Sequence, residues 1–128
     1  MSHASVIAIV DDDEWSRIGT TKLVRSLGFT ARDFASAHAL LESPHLAETS
    51  CLISDIQMPQ LNGIRLLDAL RKRGHDIPTI FVTAFPDEAV RAQALSLGAT
   101  CFLTKPVDGE TLERCLKTAL KNDRGRSA

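Results

Sequence analysis

Residues 5–19 read SVIAIVDDDEWSRIG, and this stretch decides the fold. It begins with a short apolar run containing β-branched Val and Ile, which is typical of a strand buried on both faces of a sheet. Four consecutive carboxylates, Asp11 to Glu14, follow directly and would repel one another. Because ligands of parallel sheets bind at the carboxyl ends of strands, the acids predict a polar site at one edge of a sheet.

The same alternation of a short apolar run with a longer helical pattern recurs along the chain. The predicted strands are Ser5–Val10, Phe29–Phe34, Cys51–Asp55, Thr79–Thr83 and Thr100–Leu103. Between and after them, apolar residues recur at intervals of three and four, as on the buried face of a helix. Strands that alternate with helices imply βαβ crossovers and a parallel sheet covered on both faces, so the predicted fold class is α/β.

Local signals mark where the helices begin and end. Gly28, Gly74 and Gly98 each follow a helical pattern, where the residue after a helix favours positive φ. Ser36 precedes a short helical pattern and is predicted to be its N-cap. One stripe in the last helix consists of Leu112, Cys115, Leu116, Ala119 and Leu120.

Length and composition are those of one globular domain: 128 residues, 44% apolar and 24% charged. With 15 basic against 16 acidic residues, the net charge of −1 argues against a nucleic-acid-binding surface that covers the domain. The early apolar run Val6–Val10 is too short for a signal peptide or a membrane span, so we expect a cytoplasmic protein with no membrane partner.

The three cysteines are Cys51, Cys101 and Cys115, and none belongs to a C-x-x-C motif. Each lies in an apolar segment. We therefore predict three buried, reduced thiols.

Chemically useful side chains lie at the carboxyl ends of four predicted strands. Asp11 and Asp12 follow the first strand, Asp55 ends the third, Thr83 ends the fourth, and Lys105 follows the fifth. Three carboxylates at one edge predict a hard divalent cation, Mg²⁺ or Mn²⁺, with oxygen ligands. The lysine and the threonine hydroxyl would then bind an anionic group beside the metal. Together these groups are what phosphoryl transfer requires.

The order of these motifs closely resembles the receiver domain of two-component response regulators, particularly FixJ-type receivers. The matching motifs are Asp-Asp, S-D-I-Q-M-P around Asp55, Thr-Ala at Thr83, and Lys-Pro at Lys105. The resemblance covers residues from about 5 to 121. It implies a CheY-like, flavodoxin-like (βα)5 fold with strand order 2-1-3-4-5. It also implies a receiver domain over residues 1–121, with 122–128 as a polar tail or the start of a linker.

The resemblance also implies roles for the acids. Asp55 would be the nucleophile that accepts a phosphoryl group from the phosphohistidine of a sensor histidine kinase or a histidine phosphotransferase. Asp12 and Asp55 would bind Mg²⁺ directly, together with the backbone carbonyl of Gln57. Asp11 would act mainly through a metal-bound water.

Further roles concern the phosphoryl oxygens and the response to phosphorylation. Lys105 would pair with one phosphoryl oxygen and the Thr83 hydroxyl with another, and the peptide bond before Pro106 would be cis. Phe102 would be the rotating aromatic switch, or simply a core residue. The surface that changes would be formed by helix 4, strand 5 and helix 5, and a homodimer through this surface is one expected partner.

Three neighbouring residues complete the predicted site. Ala84 is small, as an approach path for the phosphoryl donor requires. Phe85 is bulky, which leads to the hypothesis of slow self-dephosphorylation. Trp15 lies at the start of the first helix, on the face where the family docks its kinase. We expect it to pack against the loop as a hydrophobic staple does, with contact to the kinase as the alternative.

The acidic run is predicted to divide into two pairs. In receivers the acid pair follows the last apolar residue of strand 1, with a basic residue often five positions beyond the second acid, as Arg17 is from Asp12. Asp11 and Asp12 then belong to the metal site. Asp13 and Glu14 belong to the first helix, where capping and the dipole favour negative charge. The register with Asp12 and Asp13 as the metal pair stays open.

The prediction is a signalling domain that accepts a phosphoryl group, not an enzyme with a separate substrate. A phosphohydrolase of the haloacid-dehalogenase type needs Asp-x-Asp-x-Thr/Val, but Glu14 and Trp15 follow Asp13, and the chain is short for a cap domain. A flavodoxin-like cofactor module would need a phosphate loop rich in Ser, Thr and Gly, because acids repel phosphate. No helix-turn-helix pattern follows, so DNA binding is expected only through an output domain of a longer protein.

Overall fold

A computed structural model of the chain describes residues 5–127 and contains a five-stranded sheet in which all neighbouring strands pair in parallel. The strands are β1 (Val6–Val10), β2 (Thr30–Phe34), β3 (Cys51–Asp55), β4 (Thr79–Thr83) and β5 (Cys101–Thr104). Their order is β2-β1-β3-β4-β5, which confirms the α/β class and the expected doubly wound topology. The bounds of β3 and β4 match the prediction; β1 and β2 each begin one residue later than predicted, and β5 begins and ends one residue later.

Five α-helices connect or follow the strands. They are α1 (Glu14–Ser26), α2 (Ala37–Leu41), α3 (Gly63–Lys72), α4 (Glu88–Ser96) and α5 (Gly109–Ser127), with a short 3-10 helix at Leu46–Glu48. The last helix continues through most of the segment that we predict to be a tail or linker. Within the described residues, no helix combines the length and the apolar character needed to cross a membrane.

Capping side chains begin several of these helices. Ser36 is the N-cap of α2, as predicted, and its hydroxyl accepts a hydrogen bond from the Ala39 N–H at 3.0 Å. The Asn62 side chain caps α3 in the same way, and Asp87 caps α4. The glycines predicted after α1, α3 and α4 all have positive φ, between 84° and 96°.

The core lies on both sides of the sheet. Along β1, Ile7 and Ile9 pack in a cluster with Val24 of α1 and Leu116 of α5. The intervening β1 residues pack on the other face, against apolar residues of α2 and α3. Because each central strand is buried on both faces, its sequence is continuously apolar instead of alternating.

The prediction of three reduced thiols is wrong for two of them. Cys101 of β5 and Cys115 of α5 form a disulfide, with their Cα atoms 6.3 Å apart. That separation lies within the usual range for a disulfide. The pairing depends on how α5 packs against the edge strand, which the absence of C-x-x-C spacing does not reveal. Cys51 is fully buried in β3, as predicted.

The expectation for Trp15 is also wrong, because the side chain is 79% exposed. The buried face of α1 includes Val24, which lies nine positions further along the helix. At 3.6 residues per turn this is about two and a half turns, so Trp15 projects from the opposite side of the helix. An exposed indole therefore lies beside the loop that follows β1.

Candidate functional site

Three carboxylates meet at the carboxyl ends of the two central strands. Val10 of β1 lies opposite Ser54 of β3, and this register brings the following residues, Asp11 and Asp55, side by side. One carboxylate oxygen from each of Asp11, Asp12 and Asp55 lies within 4.8 Å of the other two. The structure thus brings together the acids that the sequence analysis assigns to the metal site.

Lys105 reaches this cluster from the loop after β5. Its Nζ atom donates to Asp11 Oδ2 at 3.0 Å and to Asp55 Oδ2 at 3.1 Å. The side chain of Lys105 is 20% exposed, and those of Asp11 and Asp55 are buried. The Lys105–Pro106 peptide bond is cis. A single lysine therefore bridges the end of β1 and the end of β3.

The site carries more negative charge than positive charge. Burial raises the pKa of Asp55, Lys105 lowers it, and the negative charge of Asp11 raises it further. The net result is a pKa above the ordinary value. Burial disfavours the Lys105 ammonium, but hydrogen bonds and attraction from Asp11 and Asp55 outweigh it and raise the lysine pKa. Three carboxylates thus face one ammonium. Their oxygen donors and net negative charge fit a hard divalent cation.

Thr83, the last residue of β4, makes a contact that the sequence analysis does not predict. Its hydroxyl donates to Gln57 Oε1 at 2.7 Å and accepts from the Phe85 N–H at 3.1 Å. The Thr83 side chain is thereby held toward Gln57, by groups other than the Asp55 carboxylate. Sequence reasoning places Gln57 beside the reaction centre and assigns its backbone carbonyl to the metal, but it does not pair the Gln57 side chain with Thr83. The missed signal is a polar side chain two positions after Asp55, facing the end of β4.

The acidic run divides at the end of β1. Asp13 occupies the N-cap position of α1, but its side chain makes no capping hydrogen bond, so the capping role expected for it is wrong. Its N–H instead donates to Asp11 Oδ1 at 2.9 Å. Arg17 donates to the Asp11 carbonyl at 2.8 Å and to Asp33 Oδ2 at 3.1 Å. Among the described residues, Asp11, Asp12 and Asp55 form the carboxylate cluster, and Asp13 is not part of it.

Gly63 is a second residue that the sequence analysis misses. It begins α3, its N–H donates to the Ile56 carbonyl at 2.9 Å, and a Cβ atom there would collide with the carbonyl oxygen of Asp55. Only glycine permits this approach of α3 to the end of β3. The Asn62-Gly63 pair that follows the S-D-I-Q-M-P motif is the signal that could have identified it.

The remaining predicted residues lie around the site. Phe102 of β5 is half-buried and packs against a cluster that includes Phe81 and Ala94. Ala84 is exposed, which leaves the approach to Asp55 open on that side. Phe85 is 72% exposed, so its ring extends into solvent beyond Thr83.

Comparisons with known proteins show which family the chain is similar to. The family model described as the response regulator receiver domain matches residues 7–117. The response regulator protein TodT of Pseudomonas putida is 36% identical over 119 residues, which are 93% of this chain and 52% of TodT. The transcriptional regulatory protein FixJ of Azorhizobium caulinodans is 30% identical over 128 residues, 100% of this chain and 59% of FixJ. The chain thus spans about half the length of the curated relatives it matches.

A solved structure agrees as well. The low-resolution structure of the response regulator StyR superimposes with a TM-score of 0.88 and 32% sequence identity. The superposition covers 98% of this chain and 63% of the StyR chain.

Proposed function

The chain belongs to the response regulator receiver domain family, and on that premise we propose that it accepts one phosphoryl group on Asp55. The donor would be the phosphohistidine of a sensor histidine kinase or a histidine phosphotransferase. The observation that carries the proposal is the position of the Asp55 carboxylate, clustered with Asp11 and Asp12 and 3.1 Å from the Lys105 ammonium. A nucleophile, a cation and a metal-binding set are within reach of one phosphoryl group.

In the proposed reaction an Asp55 carboxylate oxygen attacks phosphorus, forming an acyl phosphate while the phosphorus–nitrogen bond of the donor breaks. Lys105 already contacts Asp55 and can pass to a phosphoryl oxygen as charge moves there. Asp11, Asp12 and Asp55, with the backbone carbonyl of Gln57, are the residues that would hold Mg²⁺ or Mn²⁺. The bound ion would neutralise phosphoryl oxygens.

Phosphorylation would then shift an equilibrium between two packings of the domain. Phosphorylated Asp55 carries roughly two negative charges in place of one and attracts the Thr83 hydroxyl away from Gln57. Movement of Thr83 opens space into which Phe102 can turn. This couples the site to the surface formed by α4, β5 and α5, for which a second copy of the chain or an output domain is the proposed partner.

The proposed activity is stoichiometric, in that the domain catalyses only its own phosphorylation and dephosphorylation. Two curated relatives, FixJ and TdiR, are named transcriptional regulatory proteins. We therefore assign any contact with DNA to an output domain of a longer protein and none to this domain. Since bacterial DNA lies in the cytoplasm, we place the chain there too.

The test is incubation with Mg²⁺ and acetyl phosphate, followed by intact mass measurement. Wild type is expected to gain one phosphoryl group, Asp55→Asn none, and Asp33→Asn, a control outside the carboxylate cluster, one. Equal labelling of wild type and Asp55→Asn would refute Asp55 as the nucleophile. Release of many equivalents of phosphate from a small ester would instead favour a phosphohydrolase.

A further inference from the structure

Two cysteines from different elements meet on the side of the sheet that α1 and α5 cover. Cys101 begins β5, Cys115 lies in α5, and they are 14 positions apart in the sequence. Their sulfur atoms are bonded, and their Cα atoms are 6.3 Å apart. The proposed phosphoryl chemistry uses neither residue.

The two cysteines differ in accessibility. Cys115 is 7% exposed and lies in the buried stripe of α5, next to Leu112 and Leu116. Cys101 is half-buried on β5, which is the edge strand of the sheet next to β4. Of the two, Cys101 is therefore the cysteine that a small reagent would meet first, and Cys115 would attack it from inside the domain.

We propose that Cys101 and Cys115 form a reversible redox site that takes low-molecular-weight disulfides, such as oxidised glutathione, as its oxidant. The Cys101 thiolate attacks one sulfur of the oxidant, which forms a mixed disulfide and releases one thiolate. The Cys115 thiolate then attacks the Cys101 sulfur and releases the second. Two cysteine thiols are oxidised to one disulfide, the oxidant is reduced to two thiols, and these take up the two protons that the cysteines lose.

The bond would connect two elements of the proposed switching surface. Successive residues of a strand point to opposite faces, so Cys101 faces α5 while Phe102 faces the cluster that contains Ala94 of α4. A bond from Cys101 to Cys115 limits how far β5 can move relative to α5. Oxidation would therefore restrain the response to phosphorylation, and this consequence rests on the proposed function.

The site itself is tested by counting thiols. The whole chain is equilibrated at a series of reduced-to-oxidised glutathione ratios, quenched in acid, unfolded and alkylated, and its mass is measured. As the proportion of oxidised glutathione rises, we expect the number of alkylated thiols in wild type to fall from three to one while the chain stays monomeric. Cys51→Ala should pass from two to none, and Cys101→Ala or Cys115→Ala should not lose a pair. Digestion of oxidised wild type should give one linked pair of peptides, containing Cys101 and Cys115, whatever the stability of the variants.

Three thiols at every ratio would overturn the redox site, as would a stable glutathione adduct or a disulfide between chains.

The consequence for signalling is tested by hydrogen exchange of α5 before and after treatment with acetyl phosphate. A phosphorylation-dependent change is expected to shrink several-fold in oxidised wild type and to be independent of redox state in Cys115→Ala. Equal changes in oxidised and reduced wild type would overturn the restraint. Failure of Asp55 to be labelled would overturn the proposed function and leave the thiol counts unaffected.

Discussion

Asp11 and Asp13 have the same side chain and lie two positions apart, but their surroundings differ completely. Asp11 is buried, contacts Lys105, and accepts a hydrogen bond from the Asp13 N–H. Asp13 is exposed at the start of α1. The sequence could predict this division, since a residue directly after a buried strand remains within the fold whereas the next residues enter a helix. It could not predict that Asp13 would leave the N-cap without a side-chain hydrogen bond.

The Thr83–Gln57 contact could not be predicted from the sequence, because it depends on how the loops after β3 and β4 face each other. The contact engages the Thr83 hydroxyl as a donor to Gln57 Oε1. We predict that Gln57→Met, which removes the acceptor at similar size, will strengthen binding of beryllofluoride, an analogue of the phosphoryl group. A net hydrogen bond is worth about 0.5–1.5 kcal/mol, so the dissociation constant should fall by about two- to tenfold. Isothermal titration calorimetry in Mg²⁺ measures it.

Thr83→Val supplies the control, because valine keeps the shape of threonine and removes the donor. Gln57→Met should have no effect on beryllofluoride affinity in that background. An equal effect with threonine and with valine would show that Gln57 acts through bulk or through the metal, not through this hydrogen bond.

The ionised carboxylate of Asp55 should destabilise the metal-free fold, because burial raises the pKa of Asp55 above the ordinary value of 3.8. Below pH 3.8 the carboxyl is protonated in both folded and unfolded chains and costs nothing. The cost develops as the pH rises and is complete above the folded-state pKa. We therefore predict that Asp55→Asn raises the urea midpoint at pH 7 in EDTA, and that this advantage disappears near pH 3.

Asp68→Asn is the matched control for that measurement. The Asp68 side chain is 49% exposed and forms a helical ion pair with Lys72 at 3.0 Å. Its loss should change the unfolding free energy by no more than about 0.5 kcal/mol. A lower urea midpoint for Asp55→Asn than for wild type in EDTA would contradict the destabilising role of the buried charge.

At the scale of elements, the two strands that are buried along their whole length were predictable to the residue. β3 and β4 are buried throughout, and each ends in a polar residue, Asp55 and Thr83 respectively. β5 lies at the edge, and its pattern is mixed, so the prediction ends one residue before Thr104. The Cys101–Cys115 disulfide was beyond sequence reasoning because it depends on the packing of α5 against this edge.

We expect the start of α5 to make a pH-dependent contribution to stability. Asp108 Oδ2 accepts from the Thr111 N–H at 3.0 Å and from the Thr111 hydroxyl at 3.1 Å, and these hydrogen bonds lower the pKa of Asp108 from 3.8. The stabilisation is therefore present above pH 3.8 and is lost as the pH falls through the lower folded-state pKa. We predict that wild type exceeds Asp108→Ala in urea midpoint at pH 7, and that the difference shrinks below pH 3.8.

Asp108→Asn separates capping from charge. Asparagine is also a good N-cap but does not titrate in this range, so its advantage over alanine should not vary with pH. A difference between wild type and Asp108→Ala that is the same at pH 7 and at pH 3 would show that the ionised carboxylate is not responsible.

For the whole molecule, strand order explains why residues distant in sequence form one site. β1 and β3 are neighbours at the centre of the sheet, so the acids that follow or end them meet. Lys105 is 94 positions from Asp11 and arrives from the edge strand on the same side of the sheet. That these groups share one edge of the sheet was predictable, because it requires only that the strands be parallel. The exact contacts were not, because they depend on loop conformation.

Cation binding should therefore stabilise the entire fold. An ion that binds only the folded chain raises its unfolding free energy by about 2.7 kcal/mol at one hundred times the dissociation constant. We predict that Mg²⁺ raises the urea midpoint of wild type and that EDTA reverses the rise. Asp12→Asn should lose most of this response and still fold, because Asp12 is exposed and belongs to the carboxylate cluster.

Asp13→Asn decides between the two registers of the acidic run. Asp13 is adjacent in sequence and equally acidic, but it lies outside the described carboxylate cluster. Its replacement should therefore leave the Mg²⁺-dependent rise in urea midpoint unchanged. Loss of the rise in Asp13→Asn together with its retention in Asp12→Asn would contradict the site described here, since Asp12 would then not be a ligand and Asp13 would be.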